Sequence, residues 1–358
     1  MIEFCIMFRN SYPKRPFQLA KLLITGVMST ILLLLTLLPL TASAQSNGLG
    51  ITPREDFTIN AGQQQSGTLY LSDLSSTQAL TVVVKIVDFK AANKSGAPVL
   101  IIAPNAPQTA WSIKPFITIP KTVTVAASSS TSIPFTIVIP ANQGAGSYYS
   151  AVEYAAQSIS GKGNLGVAAS SASLIFVTVP GKTTEQMRLV QYGAFVPSAD
   201  DQTGQFINWF FTSEPKELAY LLDNEGNVAE QPSGSILLKN FHGKVVREIT
   251  SANPNDSLAL IGQTRRFEAC IKVGSKQITG PNGMKSSQIV CENPKLGPGR
   301  YTAELAVYYG LNGNPTQQIL ATTTFWYLPY WFLIIVLVVL GAVLYAVSWL
   351  IHKIRFRS

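Results

Sequence analysis

The strongest constraint on how this 358-residue chain folds is an apolar segment near its C-terminus. Residues 331–351 contain no charged side chain and are rich in Leu, Ile and Val. A helix of this length crosses the hydrocarbon core of a bilayer and satisfies its backbone hydrogen bonds internally. Aromatic residues precede the segment (Phe325, Trp326, Tyr327, Tyr330, Trp331), and basic residues follow it (Lys353, Arg355, Arg357). Aromatic rings favour the membrane interface and basic residues the cytoplasm, so the sequence predicts one transmembrane helix at 329–351 and a cytoplasmic tail at 352–358.

The N-terminus has the pattern of a secretory signal peptide at 1–44. Basic residues precede an apolar stretch at 22–40, and the small residues Thr41 to Ala44 form a cleavage site. We expect cleavage after Ala44. Two alternatives stay open: the apolar stretch is long enough to be retained as a second anchor, and translation could start at Met7.

The net charge of +8 does not indicate a nucleic-acid partner. Its excess is concentrated beside the two apolar segments, whereas residues 45–328 carry 20 Lys and Arg against 18 Asp and Glu. No basic run with interleaved aromatic residues occurs between the ends, so the pattern argues against nucleic-acid binding. Both ends agree on one topology, a single-pass membrane protein with residues 45–328 extracytoplasmic.

Residues 45–328 are predicted to be β-rich throughout. Short runs of Val, Ile, Thr, Tyr and Phe alternate with clusters of Gly, Pro, Asn and Ser. We expect an all-β fold of two tandem immunoglobulin-like β-sandwiches, at 45–180 and 181–328, with roughly seven strands each. Residues 80–89 are apolar on both faces, which is typical of a central strand. The Gly/Ser/Ala-rich residues 156–172 are predicted to form a flexible hairpin loop.

The cysteines are expected in an oxidising compartment, because residues 45–328 are predicted to be extracytoplasmic. Cys5 lies in the segment expected to be removed, which leaves Cys270 and Cys291 as a pair. Their spacing is not that of a metal site, so we predict a structural disulfide worth roughly 3 kcal/mol in the chain-entropy model.

Little in residues 45–328 indicates catalysis. Their one histidine, His242, falls in a probable hairpin turn, and no nucleophile-elbow motif occurs. The acidic turns at 200–201 and 223–225 lack a complete calcium-loop pattern. Asp88 is an acid in an apolar strand and is interpreted as bonded to backbone. We therefore predict no enzyme activity, cofactor or metal, although paired carboxylates of a glycosidase cannot be recognised from sequence.

Three tyrosines are the candidate binding surface: Tyr148, Tyr149 and Tyr154 could form a platform that stacks on carbohydrate. Alternation along a strand places Tyr148 and Tyr149 on opposite faces, so one of them is expected in the core. Trp111 and Trp209 are expected to pack between sheets.

Several stretches resemble the WxL-interacting protein family of bacterial cell-surface proteins. They are Gly50-Ile51-Thr52-Pro53 with Phe57 and Gly62, the run Ile133 to Pro140 with Gly144, Gly146 and Tyr148-Tyr149, Asn224-Glu225-Gly226-Asn227, Gly243-Lys244-Val245-Val246, and Gly297-Pro298-Gly299-Arg300-Tyr301-Thr302. The resemblance covers the whole plan of signal, two sandwiches, helix and basic tail. It implies a non-enzymatic module that engages peptidoglycan or a partner surface protein.

The sequence thus predicts a membrane-anchored, non-catalytic binding protein whose ligand is the cell wall or a surface protein. The first domain is expected to project outward and carry the contact surface, around 144–154 and the 156–172 loop. Two other functions stay open, an envelope enzyme such as a wall hydrolase and a structural stalk of a membrane complex.

Overall fold

The computed structural model describes residues 49–74, 79–92, 94–103, 105–156, 170–197, 205–207, 209–279, 285–310 and 316–355. The signal peptide expected at 1–44, most of the 156–172 loop, the acidic pair at 200–201 and the last three residues of the tail lie outside this description.

The first half of the described chain forms a two-sheet sandwich. One sheet has the strand order β1-β3-β8-β6, and the other has the order β2-β10-β9-β4-β5, with β7 also pairing with β4. The strands are β1 (Leu49–Ile51), β2 (Arg54–Thr58), β3 (Gln64–Asp73), β4 (Leu80–Ala92), β5 (Ala97–Ile101), β6 (Ile117–Thr118), β7 (Thr122–Val125), β8 (Ser130–Val138), β9 (Gly146–Ala156) and β10 (Ser170–Val179), with a 3₁₀ turn at Lys114–Phe116.

The alternating sequence explains how the first sandwich builds its core. In β8, Ile133, Phe135 and Ile137 are buried while the residues between them face outward, as a strand with one covered face requires. The chain changes sheets between β1 and β2 at Thr52-Pro53, where proline has no N–H to donate to a ladder. The strand β2 then pairs in parallel with β10.

The second half forms another sandwich. Its sheets have the orders β12-β11-β14-β17 and β13-β21-β20-β15-β16, and β18 and β19 form a separate hairpin. The strands are β11 (Met187–Val196), β12 (Gln205–Ile207), β13 (Phe210–Phe211), β14 (Glu217–Asn224), β15 (Ser233–Asn240), β16 (Val245–Ile249), β17 (Thr264–Cys270), β18 (Val273–Thr279), β19 (Lys285–Cys291), β20 (Gly299–Tyr309) and β21 (Gln317–Tyr327).

The two sandwiches share one topology. The series β1-β3-β8 corresponds to β11-β14-β17, and β2-β10-β9-β4-β5 corresponds to β13-β21-β20-β15-β16. In both, a short strand pairs in parallel with the last strand of its sandwich, β2 with β10 and β13 with β21. The prediction of an all-β fold with two immunoglobulin-like sandwiches is confirmed, with ten and eleven strands in the described residues instead of about seven each.

One helix, α1 (Tyr330–Arg355), ends the described chain. It is long and apolar enough to cross a membrane. Only Leu328 and Pro329 separate it from β21, so the second sandwich lies directly beside the start of the helix. The predicted apolar helix at 329–351 is therefore confirmed as a helix.

The sandwiches are joined by a buried interface. The larger sheet of the first sandwich turns Ile175 and Val177 towards its own core, whereas Phe89, Tyr149 and Phe176 on its outer face form a second cluster. Ala229 and Leu260 of the second sandwich complete that cluster. The two apolar faces of β4 predicted from residues 80–89 therefore serve two different cores.

Candidate functional site

The three tyrosines predicted to form a binding platform are all buried, so they do not form an exposed platform. Tyr148 belongs to the core of the first sandwich, and its hydroxyl donates to the Gly144 carbonyl at 2.9 Å. Tyr154 is fully buried in the same core, with its hydroxyl 3.1 Å from Ser173 Oγ. Tyr149 lies in the cluster between the sandwiches. The predicted alternation of Tyr148 and Tyr149 holds, but both strand faces are covered.

Burial also governs the chemistry of these phenols. Desolvation raises the pKa of Tyr149 to about 12, and the nearby Asp88 carboxylate contributes to the increase. Desolvation likewise raises the pKa of Tyr154 above its ordinary value. Both side chains therefore stay neutral at physiological pH and act as packing residues.

Asp88 is satisfied structurally, as the sequence suggested. Its Oδ2 accepts a hydrogen bond from Thr109 N at 3.0 Å, and its Oδ1 accepts one from Ser150 Oγ at 3.1 Å. Ser150 Oγ in turn accepts from Ile113 N at 3.2 Å. The network ties the chain segment at 109–113 to β4 and β9 and presents no free acid.

His242 is exposed in the turn of the β15–β16 hairpin, which confirms its predicted location. Its ring contacts the ring of Phe241, with the centroids 3.7 Å apart and the planes tilted by 38°. Within the described parts of the chain, no group of three or more His, Cys, Asp or Glu side chains could hold a metal ion.

The β9 end of the interface is held by polar contacts as well as by the apolar cluster. Ser147 N donates to Asn227 O at 3.0 Å, and Ser147 Oγ accepts from Ala229 N at 2.9 Å. Asn227 Nδ2 also donates to Ala145 O at 3.0 Å. A Cβ on Gly146 would lie 2.7 Å from Asn227 O, so only glycine allows this approach. Within the segment 144–154, predicted as outward contact surface, Ala145, Ser147 and Tyr149 instead contact the second sandwich, whereas Tyr148 and Tyr154 lie in the core of the first. Most of the 156–172 loop, the other part of that prediction, lies outside the described residues.

Cys270 and Cys291 form the predicted disulfide, with their Cα atoms 5.1 Å apart. The bond joins the end of β17 to the end of β19, and Cys291 is also opposite Val273 in the β18–β19 ladder. It therefore ties the base of this hairpin to the edge of the second sandwich.

A groove of about 540 Å³ runs beside that edge. Residues 268–273 form one side of it, residues 248–251 with 254–255 the other, and Ile289 and Cys291 of the hairpin border it. We call this the edge groove. Glu217, Glu248, Glu268 and Lys272 are among the residues that line it. Glu268 is paired with Arg266, and Lys272 is paired with Glu292 at 2.7 Å. Sequence reasoning missed the groove because its acids come from three strands whose adjacency no local pattern reveals.

Exposed aromatic side chains collect at the helix end of the second sandwich. Trp209 is 74 % exposed, which contradicts its predicted place between the sheets. The pairing of β13 with β21 brings it beside Trp326, whose backbone N–H donates to the Trp209 carbonyl at 2.8 Å. Phe241, also exposed, lies close to Gly299, which pairs with Tyr327. Phe325 and Tyr327, predicted as part of an interfacial belt, are buried in the core.

At the opposite end of the second sandwich lies a buried acid, Glu230. Desolvation raises its pKa to about 7, and the negative charge of Glu185 adds to the increase, although the hydrogen bond from Gly310 N opposes it. That bond measures 3.1 Å to Oε2. Glu230 follows Ala229 of the joint directly, so this acid lies beside the contact between the sandwiches.

Comparisons with known proteins return matches among solved structures. A structure of the class 5 fimbrial chaperone CfaA is 13% identical, over 79% of this chain and 100% of that chain, with a TM-score of 0.34. A chain of the chaperone–tip adhesin complex of CFA/I fimbriae biogenesis is 12% identical over 79% and 99%, with a TM-score of 0.34. A chain of the Salmonella enterica SafA pilin–SafB chaperone complex is 10% identical over 76% and 95%, with a TM-score of 0.33. Likenesses of this degree carry no functional argument. No protein-family model and no curated protein matches the sequence.

Proposed function

We propose that this chain is a membrane-anchored, non-catalytic binding protein that displays two fused β-sandwiches outside the cytoplasm. One observation carries the proposal: the second sandwich runs through β21 into the apolar helix α1 after two residues, while the first sandwich packs at the other end. Such an arrangement holds a binding module at a set distance from a membrane.

Strand register supports this assignment of ends. The strand β20 begins at Gly299, opposite Tyr327 and beside the helix, and it ends at Tyr309, opposite Gln317. At that far end, Gly310 bonds to Glu230, which follows the joint residue Ala229. The first sandwich therefore packs at the end of the second sandwich that is opposite the helix, which is farther from the proposed membrane.

The aromatic side chains at the helix end support a membrane beside the second sandwich. Trp209, Phe241 and Trp326 come from different strands or turns, and all are exposed at the end where α1 starts. Tryptophan favours the membrane–water interface because its ring is apolar and its N–H is polar.

The proposed binding role rests on the kinds of surface that the described residues present. The described side chains include no metal cluster, and the acid and histidine weighed as catalytic candidates are a bonded buried carboxylate and a turn residue. Broad sheets, edges and a groove remain, which are the surfaces through which sandwiches bind other molecules. The ligand class we propose is the cell wall or a surface protein, in line with the resemblance to the WxL-interacting family.

The test uses the full chain in nanodiscs, incubated separately with purified wall sacculi and with solubilised envelope proteins. Co-sedimentation with sacculi, or reproducible capture of one envelope protein, supports the proposal. Release of soluble wall fragments would favour a wall hydrolase instead, and absence of both binding and release would favour a structural stalk. Orientation is checked in intact cells, where protease should digest 45–328 and spare a tag placed after Ser358.

A further inference from the structure

We propose that the end of the second sandwich beside α1 docks on the bilayer that the helix enters, with Lys244 and Arg300 bound to the phosphates of anionic lipids. This inference rests on the proposed membrane anchoring and deepens it by naming the docking surface and the lipid chemistry. Five exposed side chains carry it, and we call them the helix-end patch: Trp209, Phe241, Lys244, Arg300 and Trp326.

The connection between the second sandwich and α1 allows little movement. Leu328 N donates to Phe211 O at 2.9 Å, so the chain is still bonded to β13 immediately after β21 ends. Pro329 follows, with its φ fixed by the ring, and its carbonyl accepts from Phe332 N at 2.9 Å in the first turn of the helix. The helix thus begins without a flexible linker. A membrane that α1 enters therefore lies directly beside this end of the sandwich.

Strand register places an indole and a guanidinium side by side at this end. Trp326 is opposite Arg300 on β20 and opposite Phe210 on β13. Phe325 and Tyr327, the neighbours of Trp326 in the chain, are buried in the core, so alternation directs Trp326 to the outer face of the sheet. Side chains paired across antiparallel strands share a face, so Arg300 lies on the outer face as well. This face thus presents an aromatic ring beside a cation.

The turn of the β15–β16 hairpin adds a second aromatic and cationic pair in a fixed conformation. Asn240 Oδ1 accepts from His242 N and Lys244 N, both at 3.1 Å, and Gly243 has a φ of 78°, in the left-handed region that glycine adopts without strain. Phe241 at the tip is 66 % exposed. Because the turn is already ordered, its ring and the Lys244 ammonium meet a surface with little loss of conformational entropy.

The cations of the patch are available to an anion. Among the described residues, the side chains of Lys244 and Arg300 make no hydrogen bond or ion pair. Glu304, farther along the same outer face, is engaged by Lys239 at 2.6 Å, and Glu214 near the helix end accepts a backbone N–H. Lipid phosphates accept charge-assisted hydrogen bonds from Lys and Arg, and each such residue near an anionic membrane strengthens association by roughly fivefold.

The experiment measures how lipids protect Lys244 from a water-soluble amine-reactive reagent, read by mass spectrometry. The full chain is placed in nanodiscs of phosphatidylcholine alone or with about one third phosphatidylglycerol. We expect labelling of Lys244 to be at least threefold slower with phosphatidylglycerol. Labelling of Lys121, an exposed lysine of the first sandwich, should be the same in both lipids. Salt at about 0.5 M should reduce the difference at Lys244 by screening. Inorganic phosphate added to phosphatidylcholine nanodiscs should not protect Lys244.

Two variants separate the contribution of charge from that of the aromatic tip. Arg300→Gln removes a cation and should reduce the difference between the two lipids at Lys244 by at least twofold. Phe241→Ser removes the ring at the tip and should speed labelling of Lys244 in both lipids. Lys114→Gln, which removes an exposed cation of the first sandwich, is the matched control and should leave both rates unchanged. All three side chains are exposed, so the melting temperatures should stay close to that of the wild type.

Equal labelling of Lys244 in the two lipids, or the same result for R300Q and K114Q, would overturn the selection of anionic lipid. Labelling of Lys244 that neither the lipid nor F241S changes would overturn docking altogether. Either failure leaves the proposed function standing if the full chain still binds sacculi or its envelope partner. Lipid protection without such binding would reject that function and retain the docking surface.

Discussion

The two sandwiches have the same strand order but use their surfaces in different ways. The larger sheet of the first covers its outer face with Phe89, Tyr149 and Phe176 in the joint. The corresponding sheet of the second keeps its outer face in solvent, with Leu320 exposed and Lys239 paired to Glu304 at 2.6 Å. The edge strand β8 is covered by β6, and β17 is bordered by a groove. One topology therefore gives one sandwich whose larger sheet is covered on both faces and another whose corresponding sheet is exposed on its outer face.

This difference changes where binding is expected. The sequence predicted the contact surface on the first domain, around 144–154 and the 156–172 loop. Ala145 and Ser147 of the first segment instead bond to the second sandwich, and most of the loop lies outside the described residues. The free edge and the groove belong to the second sandwich, nearer the helix.

The largest expected effect on stability concerns the outer face of the larger sheet, which is covered in the first sandwich and exposed in the second. Phe89→Ala removes a buried ring that contacts Tyr149 and Phe176 at centroid distances of 5.1 and 5.9 Å, and it should lower the free energy of unfolding by roughly 3–5 kcal/mol. The matched change on the second sandwich, Leu320→Ala, removes a side chain that is 66 % exposed and should cost less than about 0.5 kcal/mol.

Thermal unfolding of both variants measures the contrast. Loosening of the joint should also speed tryptic cleavage after the exposed Lys182, in the segment between the sandwiches, in F89A alone. Similar melting temperatures for F89A and L320A would show that the joint does not distinguish the two faces.

The next effect concerns pH at the joint. The pKa of Glu230 is raised from 4.5 to about 7, so the folded state holds its proton more tightly than the unfolded state. The stability this contributes is complete below pH 4.5 and is lost as pH rises to about 7. Glu230→Gln keeps an acceptor for Gly310 N without the charge, and it should be more stable than the wild type at pH 8 by on the order of 3 kcal/mol.

Chemical denaturation at several pH values between 4 and 8 tests this linkage. The difference between E230Q and the wild type should be small at pH 4 and grow with pH. A difference that stays constant across this range would mean that Glu230 does not titrate in the folded protein within it.

The smallest effect on stability is expected at the end of the second sandwich beside the helix. The comparison there is between Trp209, which is exposed, and Trp111, which is packed in the first sandwich. Trp209→Ser removes an exposed indole and should change the free energy of unfolding by less than about 0.5 kcal/mol. In nanodiscs containing brominated lipid, it should nevertheless reduce the quenchable tryptophan fluorescence, because Trp209 is expected at the interface. Trp111→Phe is the control, since Trp111 packs against the cores of the first sandwich and the joint. Equal quenching in W209S and the wild type would place Trp209 away from lipid.

Local patterns predicted the features that depend on neighbours in the chain. The helix follows from an uncharged run, the strands from alternation, and the turn at His242 from its glycine and polar neighbours. The disulfide followed from counting, because only two cysteines remained. Alternation even placed Tyr148 and Tyr149 on opposite faces, but it could not say that both faces are covered.

What the sequence by itself determined is thus the fold class, the helix and the covalent link between Cys270 and Cys291. Only the tertiary structure decided which apolar faces meet which partners: Tyr149 lies between the sandwiches, Trp209 is exposed beside the helix, and Glu217, Glu248 and Glu268 share one groove. The physical reason is that burial of apolar area is non-directional and can be satisfied by any apolar surface. An apolar or aromatic residue in the sequence therefore indicates only that its side chain can be buried. The arrangement of strands that are distant in sequence determines which residues bury it.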